Sequence, residues 1–447
     1  MKRVLEFCDL LIRHGRIITH ETESLNESVE SDIAIRDGKI IAVGKDLNYS
    51  SYDERDVSNL HIMPGVIDTH VHFREPGMEH KEDLYTGSMA AVKGGVTSVF
   101  EMPNTIPVTA TYDALEDKLK RAKGRMFSSY AFYIAATMDN IDLIPDLELL
   151  PGVAGIKIFY GLTTNSSDLW VTDSAVEEIL RKTSRRVSVH SEDNTRLISR
   201  EPYIIKGDVS SHSVWRDKWC ALESTKRLLD MADSTQAKMH ILHVSTLEEI
   251  EMINAYNNVT CEVTPHHMFL SVEDYLLQGS KVQVNPPIRS LEISEAVRHE
   301  VCSGNRVDIL GSDHAPHLLA EKVMQYPGSP SGMPGVQTLL PLGLDLVSTG
   351  VLSPGRLVSL TSLGPSHVFG IDGKGMIDVG YDADLAIVDF GKRNIISSDW
   401  ISSKSCWSPY EGRMVRGWPE MTVVNGKIAM EGGEITGAPC GDMIYFS

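Results

Sequence analysis

No C-x-x-C pair occurs among the six cysteines (Cys8, Cys220, Cys261, Cys302, Cys406 and Cys440). That scatter argues against a cysteine-based zinc site or a disulfide frame and suits a reducing compartment. No stretch reaches the roughly 20 consecutive apolar residues that a membrane helix needs. Basic charge is in short supply as well: 42 lysines and arginines face 61 acidic residues, a net charge of −19. Such a balance argues against a nucleic-acid or anionic-membrane partner. The stretch MKRVLEFCDLLIRHGRII has a broken apolar segment and no small-residue cleavage site, so no secretory signal is expected. The expectation is a cytoplasmic globular protein, and 447 residues with 42% hydrophobic content can bury a large core.

Both ends of the chain read as strands. DLLIRHGRII and DIAIRDGKIIAVG alternate apolar positions, the second around an Asp-Gly turn, and GYDADLAIVDF and MTVVNGKIAMEGGEI repeat the style around an Asn-Gly turn. One small β-sandwich assembled from both termini is therefore expected. Between them, eight apolar runs alternate with helix-length amphipathic stretches such as TYDALEDKLKRAK and DSAVEEILRKT. Eight β/α units are the count of a (β/α)8 TIM barrel. A doubly wound open sheet is the structural rival, but no G-x-G-x-x-G follows the first strand to support it. The division expected is residues 1–60 and 371–447 for the sandwich and residues 61–370 for the barrel.

In a barrel the chemistry sits at the C-terminal ends of the strands. Polar residues recur there. His70 and His72 close the first run, in DTHVHFREPG, and Asn104 follows the second. Lys157 lies in the fourth, His190 ends the fifth, His243 the sixth, and Asp313 the eighth, with His314 and His317 behind it. A strand repeats every two residues, so His70, His72 and Arg74 point the same way. Imidazole and carboxylate together suit zinc and similar divalent ions. A single strand-end histidine is ordinarily a hydrogen-bonded surface or core residue. Packing accounts poorly for the whole set falling on one mouth.

Lys157 interrupts the apolar strand GVAGIKIFYGL, and a buried ammonium is costly. Two readings stay open from the residues alone. The lysine snorkels to the rim, or its amine has a depressed pKa and has taken up CO2 to form a carbamate ligand. His266 and His267 in VTPHHMFL could orient a ligand or be structural. The Gly-rich PGSPSGMPGVQT (327–338) reads as a loop near the mouth or a plain connection.

The motifs PGVIDTHVHFREPG, GGVTSVFEMPNT, GIKIFYGLTTNSS, VSVHSED, ILHVST, EVTPHH, VNPPIR and GSDHAPH, in this order, resemble the amidohydrolase superfamily and within it the dihydroorotases. The likeness runs over essentially the whole chain. It implies a (β/α)8 barrel with a small β-sandwich and a zinc centre of two ions. Carried over by position, His70 and His72 would bind the more buried metal and His190 and His243 the second. Carboxylated Lys157 would bridge them, as in the binuclear type. Asp313 would ligate one metal and shuttle the proton.

The activity implied is reversible cyclisation of N-carbamoyl-L-aspartate to L-dihydroorotate, a step of pyrimidine synthesis. By the same resemblance Arg74, Asn104 and His317 would grip the substrate carboxylate, Arg74 through its bidentate fork. Asn285 and the backbone at Gly332 would touch the ring. A homodimer is the oligomeric state the resemblance suggests. Allantoinase is the nearest rival, but it usually has asparagine where Arg74 stands; a hydantoinase is disfavoured on the same ground. A catalytically dead scaffold protein is the rival of another class. Such relatives typically lose metal ligands, and here none is lost.

Overall fold

The computed structural model describes residues 6–164 and 169–447. The last three residues of GIKIFYGLTTNSS, and residues 1–5 of the expected sandwich, lie outside the described residues.

The chain starts with β1 (Glu6–Ile17), β2 (Val29–Arg36), β3 (Lys39–Gly44), β4 (Tyr49–Asp56) and β5 (His61–Pro64). Asp37 and Gly38, at φ of 52° and 77°, make the turn between β2 and β3. Two positive φ values are what a two-residue I′ hairpin requires, which is why Asp-Gly signals it. Barrel strands β6 to β13 follow: Val66–Val71, Val96–Glu101, Ser129–Ala135, Val153–Tyr160, Val187–Ser191, Met239–Ile241, Val259–Val263 and Ile309–Leu310. The chain then returns through β14 (Leu385–Ile395), β15 (Met414–Val424), β16 (Lys427–Glu431) and β17 (Glu434–Ile435). Asn425 and Gly426, at φ of 49° and 74°, turn β15 into β16.

All eight barrel strands run parallel in chain order, each beside its sequence neighbour. The first and last ends meet through a Val71–His314 bridge, with the His72 amide donating to the His314 carbonyl at 2.7 Å. Asp68 secures the same seam: its Oδ1 accepts from the Ser312 amide at 3.0 Å. This is the (β/α)8 barrel, not the open sheet. Its helices lie where amphipathic stretches occur in sequence. The helix Asp173–Lys182, for example, is capped by Thr172 and buries Ala175, Val176, Ile179 and Leu180.

The strands from both termini form the small second unit expected of them, a nine-stranded sheet separate from the barrel. β5 joins the halves by pairing with β1 on one side and β14 on the other. The sheet encloses its own core, in which Ile12, Ile33, Ile35 and Ile62 meet Leu385, Ile387 and Val423. The last residues leave this sheet for the barrel, where Phe446 packs on Phe100 at 5.6 Å beside Phe369. Above that aromatic layer come His240, whose ring lies 5.5 Å from Phe369, and then Glu262. Glu262 touches His70. The barrel axis thus passes from an apolar floor to a polar mouth within a few residues.

Candidate metal and substrate site

Three of the residues singled out in sequence, Arg74, His243 and Asp313, hold φ of 66°, 39° and 45°. A residue with a Cβ reaches this left-handed region at a cost of about 1–3 kcal/mol, and such positions cluster at functional sites. Here the twist falls just after β6, β11 and β13. There the chain leaves the strand and each side chain is turned into the mouth.

The ligand candidates converge. Asp313 Oδ1 lies 3.2 Å from His70 Nε2 and 3.3 Å from His72 Nε2. His190 Nδ1 is 2.9 Å from His243 Nε2. Ligand atoms of His70, His243 and Asp313 all fall within 4.8 Å of one another. One cavity is lined by His70, His72, Lys157, His190, His243 and Asp313, and Arg74, Asn104, Asn285 and Gly332 line it too. His317 does not line it; its ring sits behind Arg74, with Nε2 3.2 Å from Nη2. The 327–338 loop does reach the mouth, through Ser331 and Gly332.

Three of the four histidines are held from the outside by an acceptor. Glu262 Oε1 takes His70 Nδ1, Asn104 Oδ1 takes His72 Nδ1 at 2.8 Å, and Glu192 Oε2 takes His190 Nε2 at 3.1 Å. An acceptor there fixes the proton on the outer nitrogen and leaves a lone pair on the inner one. Burial pushes His72 down to about 3, so it is neutral near pH 7. The inner nitrogens and the Asp313 carboxylate form a set of acceptors facing one another. Such a donor set fits a cation and suits little else.

Lys157 is 1% exposed in β9 and its Nζ lies 4.8 Å from the Phe159 ring centre. Among the described residues it has no hydrogen-bond partner, so it is not a snorkelling lysine. Burial pushes its ammonium down to about 7, against the pull of Asp313 and Glu262. Arg74 is 2% exposed and donates to the Pro316 carbonyl, yet no carboxylate pairs with it among the described residues. Burial lowers even this guanidinium to about 10.

Two carboxylates of the site were missed in sequence. Glu192 stands two residues after His190, just past the end of β10. Burial would raise it, but Arg216 and His190 hold it down at about 2. Glu262 interrupts the apolar strand VTCEV, the same anomaly that marked Lys157. Its Oε1 also accepts from the His243 amide at 3.2 Å. Burial opposes its charge, while His70 and His240 keep it at about 2. His266 and His267 bond to no candidate ligand; His267 bridges Thr264 and the Pro286 carbonyl, a structural use.

The amidohydrolase family model matches residues 61–429, most of the chain. A dihydroorotase of Methanosarcina acetivorans is 37% identical over 438 residues, covering 94% of this chain and 91% of that one. The chain belongs to the amidohydrolase family, in its dihydroorotase branch. Other members of that branch are 34% identical in Halobacterium salinarum, covering 91% of this chain and 94% of that one, and 32% in Bacillus cytotoxicus, covering 94% and 98%. Among solved structures, L-hydantoinase (dihydropyrimidinase) from Arthrobacter aurescens superposes with a TM-score of 0.92 at 27% identity, covering 98% of this chain and 99% of that one. This is a cyclic amide hydrolase, with a cluster of His70, His243 and Asp313 that could hold a metal ion. Among the described residues no helix is long and apolar enough to cross a membrane.

Proposed function

We propose that this chain is a dihydroorotase, interconverting N-carbamoyl-L-aspartate and L-dihydroorotate at a centre of two zinc ions. The observation that carries the reading is Arg74, a buried guanidinium that faces the cavity beside the ligand cluster and has no carboxylate partner among the described residues. A buried charge needs a partner, and a substrate carboxylate supplies one.

His70 and His72 would hold one ion, His190 and His243 the other, with Lys157 as its carbamate between them. The lysine amine, pushed to about 7 by burial, has its lone pair available near neutrality to add to CO2. Bound divalent ions supply Lewis acidity toward the amide carbonyl and lower the pKa of an attacking water. Asp313 then takes the proton from that water and delivers it to the ring nitrogen as the amide bond breaks. Written for synthesis, Asp313 accepts the proton lost by the ureido nitrogen as the ring closes and returns it to the hydroxide expelled from the carboxyl carbon, which leaves as water. Arg74 and Asn104 hold the free carboxylate with His317 set behind Arg74, while Asn285 and the Gly332 backbone border the ring. Gly332 has φ of 131°, and a Cβ there would come within 2.6 Å of the Ala315 carbonyl oxygen, so only glycine lets the loop pass this close.

The likeness to L-hydantoinase gives the second reading, hydrolysis of a ring without a carboxylate. Arg74 argues against it, because such a ring leaves the guanidinium unpaired. A homodimer in the cytoplasm completes the proposal; light scattering tests the first part. The deciding assay compares turnover of L-dihydroorotate, allantoin and a hydantoin by metal-loaded protein. Turnover of dihydroorotate alone supports the proposal, and turnover of allantoin or the hydantoin in its place overturns it.

A further inference from the structure

In the carboxylate clamp two donors confront each other. Arg74 Nη2 lies 3.2 Å from His317 Nε2, and a guanidinium has N–H donors only. The proton on His317 is decided by its other neighbours. Nδ1 is 3.1 Å from the Nζ of Lys81, and Nε2 is 3.1 Å from the Ser331 carbonyl oxygen. An ammonium can only donate, so Nδ1 offers its lone pair; a carbonyl can only accept, so the hydrogen sits on Nε2. Burial, with Arg74, Lys81 and Lys322 adding to it, keeps this ring neutral.

Lys81 is itself held in place. Its Nζ pairs with Glu321 Oε1 at 2.9 Å, while Glu321 Oε2 accepts from the Leu318 amide at 2.9 Å. That second oxygen is 3.9 Å from His317 Nδ1, too far to compete for its proton. Trp407 Nε1 donates to the His317 carbonyl at 2.8 Å, and Lys322 Nζ donates to the Pro330 carbonyl at 2.8 Å beside Ser331. Lys81 lies in EHKEDL, after β6, and does not line the cavity.

We propose that Lys81 is a positioning residue for substrate specificity: it fixes His317 with its proton on Nε2, committed to the Ser331 carbonyl, so that Arg74 finds no acceptor in His317 and keeps its donors for the substrate carboxylate. The proposal rests on the dihydroorotase reading above. Without Lys81 nothing engages the Nδ1 lone pair, Arg74 competes with the Ser331 carbonyl at Nε2, and the proton can move to Nδ1. Nε2 then accepts from Arg74, the guanidinium is satisfied internally, and the clamp loses a donor.

The test uses full-length, metal-loaded protein labelled with 15N-histidine, with the His317 signals assigned through His317→Asn. In the wild type, His317 should show the nitrogen pair of a neutral imidazole protonated on Nε2. In Lys81→Met both nitrogens should shift toward the other tautomer. KM for L-dihydroorotate should rise about tenfold, the loss of roughly one charge-assisted hydrogen bond, and by more than kcat falls. Lys81→Arg, which keeps a donor, should restore both. Unchanged His317 nitrogens in Lys81→Met, or a loss confined to kcat, overturns the proposal. Should Lys81→Met fail to fold, Glu321→Gln frees the Lys81 head and should give a smaller shift in the same direction; no shift there overturns it equally. A wild type that does not turn over dihydroorotate defeats the functional reading, while the nitrogen shifts still decide what Lys81 does to His317.

Discussion

Replacing Glu262 should loosen metal binding without dismantling the barrel. Its two oxygens take His70 Nδ1, the His243 amide at 3.2 Å and Thr69 Oγ1 at 3.3 Å, so one carboxylate braces residues from both expected half-sites. In Glu262→Gln the amide oxygen can still accept from His70 and His243, and the amide nitrogen can turn to Thr69. What is lost is the negative charge behind His70 Nδ1, which strengthens the ring as a metal ligand. A hydrogen bond to a charged group contributes about 1.5–3 kcal/mol against about 1 kcal/mol for a neutral one. The difference, about 0.5–2 kcal/mol, is roughly a 2- to 30-fold fall in metal affinity. Glu262→Ala also strands the His70 and His243 donors, so its affinity should fall toward about a hundredfold, the upper range for outer partners of a ligand. The assay is equilibrium competition against a chromophoric zinc chelator, with circular dichroism as the check on folding. Wild-type affinity in a folded Glu262→Ala protein would refute the bracing role.

Other outcomes follow from the same geometry. Asp313→Asn should abolish turnover while most of the metal stays bound; near-normal rates would remove the proton-shuttle role. Arg74→Ala should raise KM for carbamoyl-aspartate by roughly 10- to 100-fold, the loss of a charge-assisted pair, and an unchanged KM would end the clamp assignment. Reconstitution of metal-free protein with zinc should depend on bicarbonate and slow as pH falls through about 7, because the Lys157 ammonium that forms there has no lone pair for CO2. Reconstitution indifferent to bicarbonate and pH would argue that Lys157 is not carboxylated.

The barrel was legible because its eight strands carry apolar runs between amphipathic helices, and the two hairpins because Asp37-Gly38 and Asn425-Gly426 need the turn they make. The ligand candidates were legible for a related reason: polar residues at strand ends have one place to go in this fold. Glu192 and Glu262 stayed hidden because each acts through a neighbouring histidine, and for Glu262 that partner lies across the barrel on another strand. That both ends join in one small unit was legible from their strand patterns, but the strand that links them was not, since the four residues of β5 pair with both halves. The contact between Lys81 and His317 spans 236 positions, and no local pattern announces it.

The most direct test of the account is the ratio of kcat/KM for L-dihydroorotate to that for dihydrouracil, the same ring without its carboxylate, in wild-type and Arg74→Ala protein. The account predicts that the wild type favours dihydroorotate by about a hundredfold or more, as a site built around a charged contact should, and that Arg74→Ala loses most of that preference. Comparable turnover of both rings by the wild type, or a preference that survives the loss of Arg74, would contradict it.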